Sequence, residues 1–494
     1  MFKRIKNLIY AMLLGILLVG ISACEGDFLN KQPLGQLTSS NFFETEEHAV
    51  WATNATYNML RDWQVHVFSY IGLTDIISDD ADKGSTPTDA NFLLEVDNLT
   101  FNPSNIAFGG VWSGYYQGIY RSNLAIQEIP DIEMDEELKA RLIGESKFLR
   151  AYFYFKLVRW FGDIPLILEP LEPSEYEQSR VPADQVYAQI EQDLMDAIDV
   201  LPLRSQYPSA DLGRATKGAA EGLLAKVYLT RGDFTQAETY AMNVINSGEY
   251  VLLDRYGDIF LPQGENSSES LFEVQATALE TGGAGSQYNE VQGVRGTPNL
   301  GWGFNRPSDD LIESYELGDP RREATVLYPG EVLPDGSARV EDNPNIVNER
   351  FNQKAWVPQH PGGNGNGPGN IRILRYADIL LMAAEAMNEN GKSAEALVYL
   401  NQVRERARGG LNGILPEITE TDPNALRELI WRERRSEFAM EQQRWFDLKR
   451  TGRLAEVLRG VGKNFIDNKH ELMPIPQTEI DLSGGALVQN PGYN

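Results

Sequence analysis

The chain has 494 residues, 42% hydrophobic and 10% aromatic, which is enough apolar material for a large buried core and too much for a disordered chain. Its 71 acidic against 44 basic side chains leave a formal charge of −27, a surface that repels phosphate backbones and argues against nucleic acid as a partner. With a single cysteine, neither an internal disulfide nor a multi-thiolate zinc site can be built.

In chain order, Lys3, Arg4 and Lys6 precede an apolar stretch from Leu8 to about Ile21 and then small residues, the layout of an export signal. Gly15 and Gly20 interrupt the stretch, and it falls short of the roughly 20 apolar residues that span a bilayer, which weighs against an uncleaved anchor. Cys24 closes Ile21-Ser22-Ala23-Cys24, which resembles the bacterial lipoprotein processing signal, where the thiol is acylated and becomes the new N-terminus. Residues 1–23 are thus read as a signal peptide, Cys24 as the lipidation site and 24–38 as a tether. Each buried methylene of an acyl chain contributes about 0.8 kcal/mol, so several chains hold a domain at a membrane durably.

From residue 39 to about 250 the pattern is helical. Ser40 or Asn41 can cap a first helix running through Ala49, Ala52, Ala55 and Met59. Between Glu136 and Trp160, Leu138, Leu142, Leu149, Phe153, Leu157 and Trp160 recur at helical spacing and predict one apolar face. Gly162 and Pro165 then stop that helix. Leu224, Ala225, Tyr228, Gly232, Ala237 and Ala241 match Ala383, Ala384, Met387, Gly391, Ala396 and Leu400 in spacing. Both sets read as helix, glycine turn and second helix packed through small residues, the tetratricopeptide pattern. A free-standing array needs three or more copies, so degenerate ones are expected, one of them ending at Gly162.

From 260 to 370 the helical period fades, and Pro361 to Asn370 is almost pure turn composition, a loop that is either mobile or shaped for a ligand. Helices resume over 371–459, and the last stretch to 494 is extended and punctuated by proline. The fold class expected is all-α, a tetratricopeptide-like scaffold with a loop-rich ligand-binding portion.

The chemistry-bearing residues form no catalytic constellation. His48, His66, His360 and His470 are scattered, without the spacing of a metal site, and there is no phosphate loop, nucleophile elbow or dinucleotide fingerprint. The acidic run at Asp79 to Asp82 lacks the ligand spacing of a calcium loop. Glu433, Glu437 and Glu441 share a helix face, and paired acids are what glycoside hydrolysis requires. Arg432, Arg434, Arg435 and Arg444 surround them, so structural salt bridges are the expected role. Trp112, Tyr116, Tyr120, Tyr152 and Trp445 sit at helical spacing and are expected in the core. Loop aromatics are the better binding candidates. One stretch, Asp75 to Asn91, carries Asp79, Asp80, Asp82 and Lys83; another, Gln287 to Arg306, carries Tyr288, Asn289, Arg295, Trp302 and Phe304. Trp356, before the glycine-rich loop, is a third. Trp302 and Tyr288 are expected to stack on a sugar ring while Asn289 and Arg295 orient it.

Ordered motifs spread over the whole chain carry a family resemblance: "DFLNKQP" from Asp27, "GIYRSN" from Gly118, "GESKFLRAYFYFKLVRWFGDIPL" from Gly144 and "GRATKGAAEGLLAKVYL" from Gly213. "RYADILLMAAEAMNENG" from Arg375, "ERRSEFAMEQQRWFDLKRTGR" from Glu433 and the "QNPGY" ending continue it. Together they resemble the SusD/RagB outer-membrane lipoproteins of Bacteroidetes. Glu25 and Asp27 also look like the tag that sends such lipoproteins to the outer surface. The resemblance implies a lipid-anchored protein of the outer membrane that captures a glycan and delivers it to a SusC-type TonB-dependent transporter, with no catalysis and no cofactor. A surface glycoside hydrolase and a peptide-binding or structural adaptor of the same complex are the alternatives. The family's ligand sites vary too much for residues to be carried over.

Overall fold

The computed structural model describes residues 42–342, 348–363 and 365–493, together with Lys3, Ile5 and Lys6. Cys24, the apolar run and the tether lie outside the described residues, as do the proposed caps Ser40 and Asn41. The first described long helix, α1 (Glu46–Met59), is capped by Thr45 instead, whose side chain accepts from the His48 N–H.

The long helices that follow are α2 (Ile106–Glu128), α3 (Glu136–Phe161), α4 (Ala183–Val200), α5 (Lys217–Arg231) and α6 (Phe234–Ser247). After the single-turn α7 (Tyr288–Gln292) come α8 (Tyr376–Glu389), α9 (Ser393–Arg408), α10 (Pro423–Phe438) and α11 (Arg444–Arg450). Each long helix packs on the next: α2 on α3, α3 on α4, α4 on α5, α5 on α6, α6 on α8, and α8 on both α9 and α10. The two clear repeats are α5/α6 and α8/α9, stacked directly against each other. Helix α3 ends at Gly162, as expected of a degenerate copy's last helix, and the φ of 72° there is one a side chain would resist. The expected all-α, tetratricopeptide-like scaffold is the architecture found.

Helix α3 departs from the one-faced pattern. From Phe148 to Phe161 it is buried all round, because α2, α4 and α11 enclose it and its charged residues find partners inside. Arg150 pairs with Asp193 at 2.7 Å, and the Arg159 guanidinium lies 3.9 Å and 3.7 Å from the Phe155 and Phe446 rings.

Among the described residues six short strands, β1 (Ala81–Gly84), β2 (Ser270–Val274), β3 (Phe304–Pro307), β4 (Val326–Leu327), β5 (Phe351–Asn352) and β6 (Ile371–Arg375), pair as three antiparallel ribbons: β1 with β3, β2 with β6 and β4 with β5. Helix therefore resumes at Tyr376 and not at 371, since residues 371–375 hydrogen-bond to β2 before the chain turns into α8. The β1–β3 pairing sets Asp82 opposite Arg306 and brings the two loop stretches singled out in the sequence side by side.

Candidate functional site

The stretch from α7 to Trp302, the segment from Asn352 to His360 and the glycines Gly363, Gly365 and Gly367 enclose a cleft of about 230 Å³. Its walls include Asn289, Glu290, Asn299, Trp302, Trp356 and His360. Backbone bonds fix the Trp302 side: the Trp302 N–H donates to the Glu290 carbonyl at 2.8 Å and the Gly303 N–H to Gly293 at 3.0 Å. The glycine-rich turn is tied down from the same helix. Glu290 Oε2 accepts from the Gly365 N–H at 2.8 Å, and Ser286 and Gly367 exchange backbone bonds of 3.0 and 2.9 Å. Gly369 permits the close approach, because a Cβ there would lie 2.7 Å from Asn289 Nδ2.

Three residues of the cleft walls each carry a buried side-chain atom with no hydrogen-bond partner within the described residues: Asn289 Oδ1, Trp356 Nε1 and His360 Nδ1. The other side of the Asn289 amide is engaged, Nδ2 donating to the Ala355 carbonyl at 3.0 Å. A buried polar group left unmade costs about 1–3 kcal/mol, and three such groups stand in the walls of this one cleft. The set offers an acceptor, a donor and a ring nitrogen, which suits hydroxyls that both donate and accept. Among the described residues, the lining holds no lysine or arginine, and Glu290 is its single carboxylate.

Aromatic surface flanks the cleft. The half-buried Trp302 ring is centred 6.0 Å from Trp63 and 6.0 Å from Phe68. Trp63 is 36% exposed, on a single-turn helix capped by Asp62. Beneath the floor, Asn352 donates to Gln292 Oε1 at 2.8 Å, and Asn305 bridges the same oxygen (2.7 Å) to Asp75 (3.0 Å). Burial, partly offset by the Asn305 and Gln442 hydrogen bonds, pushes the Asp75 carboxyl up to about 7.

Trp302, Asn289 and Trp356 thus meet at one cleft. Tyr288 does not join them: it is 7% exposed, its hydroxyl donates to Gln442 at 3.1 Å, and burial raises its pKa. It faces inward because it packs on the main core, leaving no ring face for a sugar. Arg295 is taken by Asp89 and by Ser85 Oγ (2.6 Å) and lies outside the cleft lining. Asp79 is buried beneath Arg444 (2.8 and 2.7 Å) and Arg435 (2.9 Å). Burial alone would raise its pKa, but the two guanidiniums overrule it and hold the carboxyl at about 2. Asp80 binds Arg435 at 2.8 Å, Lys83 donates to the Thr86 and Asp89 carbonyls, and Phe304 packs edge-on to Phe68 in the core. The acidic loop is therefore an internal fastening. Tyr120, expected in the core, is 52% exposed, whereas Trp112, Tyr152 and Trp445 are buried.

Sequence reasoning missed Trp63, His360 and Glu290. Trp63 had a readable signal, a tryptophan just past the end of α1 beside Asp62. His360, next to the glycine-rich run, becomes interesting only when its neighbours are known.

The Glu433, Glu437 and Glu441 face forms a saturated ion cluster. Glu433 binds Arg321 (2.6 Å) and Arg404 (2.8 Å); Glu437 binds Arg375 (2.6 Å), Arg321 (3.2 Å) and Arg406; Glu441 binds Arg375 (2.7 Å) and Lys354 (2.8 Å). Burial opposes the charge on Glu437, but Arg406, Arg375 and Arg321 outweigh it and hold the carboxyl at about 2. None of the three acids has a free oxygen for acid or base chemistry.

A family model described as the SusD family matches residues 268–493, and one described as starch-binding associating with outer membrane matches residues 28–229. The SusD-like protein P2 of Formosa agariphila is 31% identical over 97% of this chain and 98% of its own length. Among solved structures, a laminarin-binding SusD-like protein is 33% identical with a TM-score of 0.79, covering 91% of this chain and 100% of that one. A surface glycan-binding protein A from Bacteroides thetaiotaomicron, in complex with laminarihexaose, is 28% identical with a TM-score of 0.76, covering 90% and 99%. Among the described residues no helix is long and apolar enough to cross a membrane.

Proposed function

The chain belongs to the SusD family, and on that premise we propose that it captures a neutral glycan in the cleft beside Trp302 and delivers it to a SusC-type TonB-dependent transporter. It would do so at the outer membrane, facing outward and held by lipid on Cys24. The observation that carries the reading is the combination of an aromatic surface, Trp302 with Trp63, and three unpartnered polar atoms at one cleft. Sugar rings present C–H faces that stack on indoles, while their hydroxyls can donate to Asn289 Oδ1 and accept from Trp356 Nε1. A lining without cationic side chains favours an uncharged ring, in keeping with relatives named for laminarin and laminarihexaose. The carboxylates favour capture over hydrolysis: among the described residues Glu290 is the single acid of the cleft lining, and one of its oxygens accepts from the Gly365 N–H, where hydrolysis needs a pair.

Isothermal titration with laminarihexaose tests the site. The wild-type protein is expected to bind, and Trp302→Ala to weaken binding by about tenfold or more. Equal affinity in the variant would remove Trp302 from the site. Failure of the wild-type protein to bind laminari-, malto- and xylo-oligosaccharides alike would sink neutral-glycan capture.

A further inference from the structure

A second groove, of about 790 Å³, runs between α1, Arg121 on α2 and the loops at 210–214 and 275–284. Its chemistry is opposite to that of the first cleft. Arg61 and Arg121 both line it, and among the described residues neither has a carboxylate partner: Arg61 donates to the Asn58 side chain and Arg121 to the Ala55 carbonyl at 2.8 Å. The neighbouring Arg214 shows what a satisfied guanidinium looks like here, paired with Glu145 (2.9 Å) and Asp211 (2.9 Å) and donating to Asn54 (2.8 Å). Asp211, the one acid in the lining, is consumed by Arg214 and by Arg141 (3.2 Å). Burial lowers the pKa of Arg61, so its charge is partly desolvated without a counter-charge. In a chain of net charge −27, two such guanidiniums beside one groove are an unusual concentration of unspent cationic donors. Trp51, on α1, lines the same groove and is 42% exposed, a flat apolar face.

We propose that this groove is a second carbohydrate subsite, specific for an acidic oligosaccharide whose carboxylate or sulfate is clamped by Arg61 and Arg121 while a neighbouring ring of the same ligand lies on Trp51. Guanidinium forks match planar anionic oxygens through paired donors, and each already commits only one donor to a neutral acceptor. The volume suits an oligosaccharide segment. The subsite is separate from the cleft beside Trp302 and stands whether or not that cleft binds neutral glycan.

Titration of the full chain with hexagalacturonate and with a sulfated galactose oligosaccharide tests the proposal and separates carboxylate from sulfate. The wild-type protein is expected to bind at least one of them, more weakly as salt is raised. The Arg61→Gln, Arg121→Gln double variant should lose about tenfold or more of that affinity together with its salt dependence. Trp302→Ala should leave it unchanged. If the double variant fails to fold by circular dichroism, Trp51→Ala, an exposed position, is the substitute and should cost several-fold. Binding of neither probe, undiminished binding in the variants, or equal loss in Trp302→Ala would overturn the subsite.

Discussion

The ion cluster beneath α10 and the cleft beside α7 treat buried polar groups in opposite ways. In the cluster every oxygen of Glu433, Glu437 and Glu441 meets a cation. In the cleft an amide oxygen, an indole N–H and an imidazole nitrogen are buried and left open. Charge density alone would have pointed to the cluster as the functional centre. Saturation of the carboxylates is the better guide: acids whose oxygens all meet internal cations hold the scaffold, whereas three unpartnered groups gathered in the walls of one cleft single that cleft out.

The largest effect that can break this contrast is at its saturated end. Glu437→Ala leaves Arg375, Arg406 and Arg321 buried around an empty position, and a cost of about 3–5 kcal/mol is expected in urea denaturation. A loss under about 1 kcal/mol would show that the cluster does not hold the fold. Acid should act on the same point in the wild-type protein. The folded-state pKa of Glu437, about 2, lies below the 4.5 of a free glutamate. Its contribution is thus fully present above 4.5 and drains as pH falls through 2. The melting temperature should fall across that window, and a flat profile would count against the pairing.

The smallest effect lies at the open end. His360→Ala removes a ring nitrogen that bonds to nothing within the described residues, so stability should shift by no more than about 0.5 kcal/mol. Affinity for laminarihexaose should nevertheless fall about threefold to tenfold, the worth of one hydrogen bond. A large stability loss with unchanged affinity would assign His360 to the scaffold.

The scaffold was legible in the sequence because helical period and small-residue spacing are local signals. The α5/α6 and α8/α9 pairs follow from alanines and glycines a few residues apart. The strand at Ile371–Arg375 was not legible, because its partner, β2, lies about a hundred residues earlier. The site was legible in part. Trp302, Asn289 and Trp356 follow from loop aromatics and turn composition, which mark where a chain exposes itself. Tyr288, Arg295 and Asp79 share those loops, but their partners Gln442, Asp89 and Arg444 come from segments distant in sequence. Composition lists the polar groups of a loop, whereas only the fold decides which are spent.

The most direct test of the open cleft is a crystal structure of the protein with laminarihexaose bound. The account predicts a sugar ring against Trp302, with hydroxyls within hydrogen-bond distance of Asn289 Oδ1, Trp356 Nε1 and His360 Nδ1. Oligosaccharide bound on another face, with those three atoms still unpartnered, would contradict it.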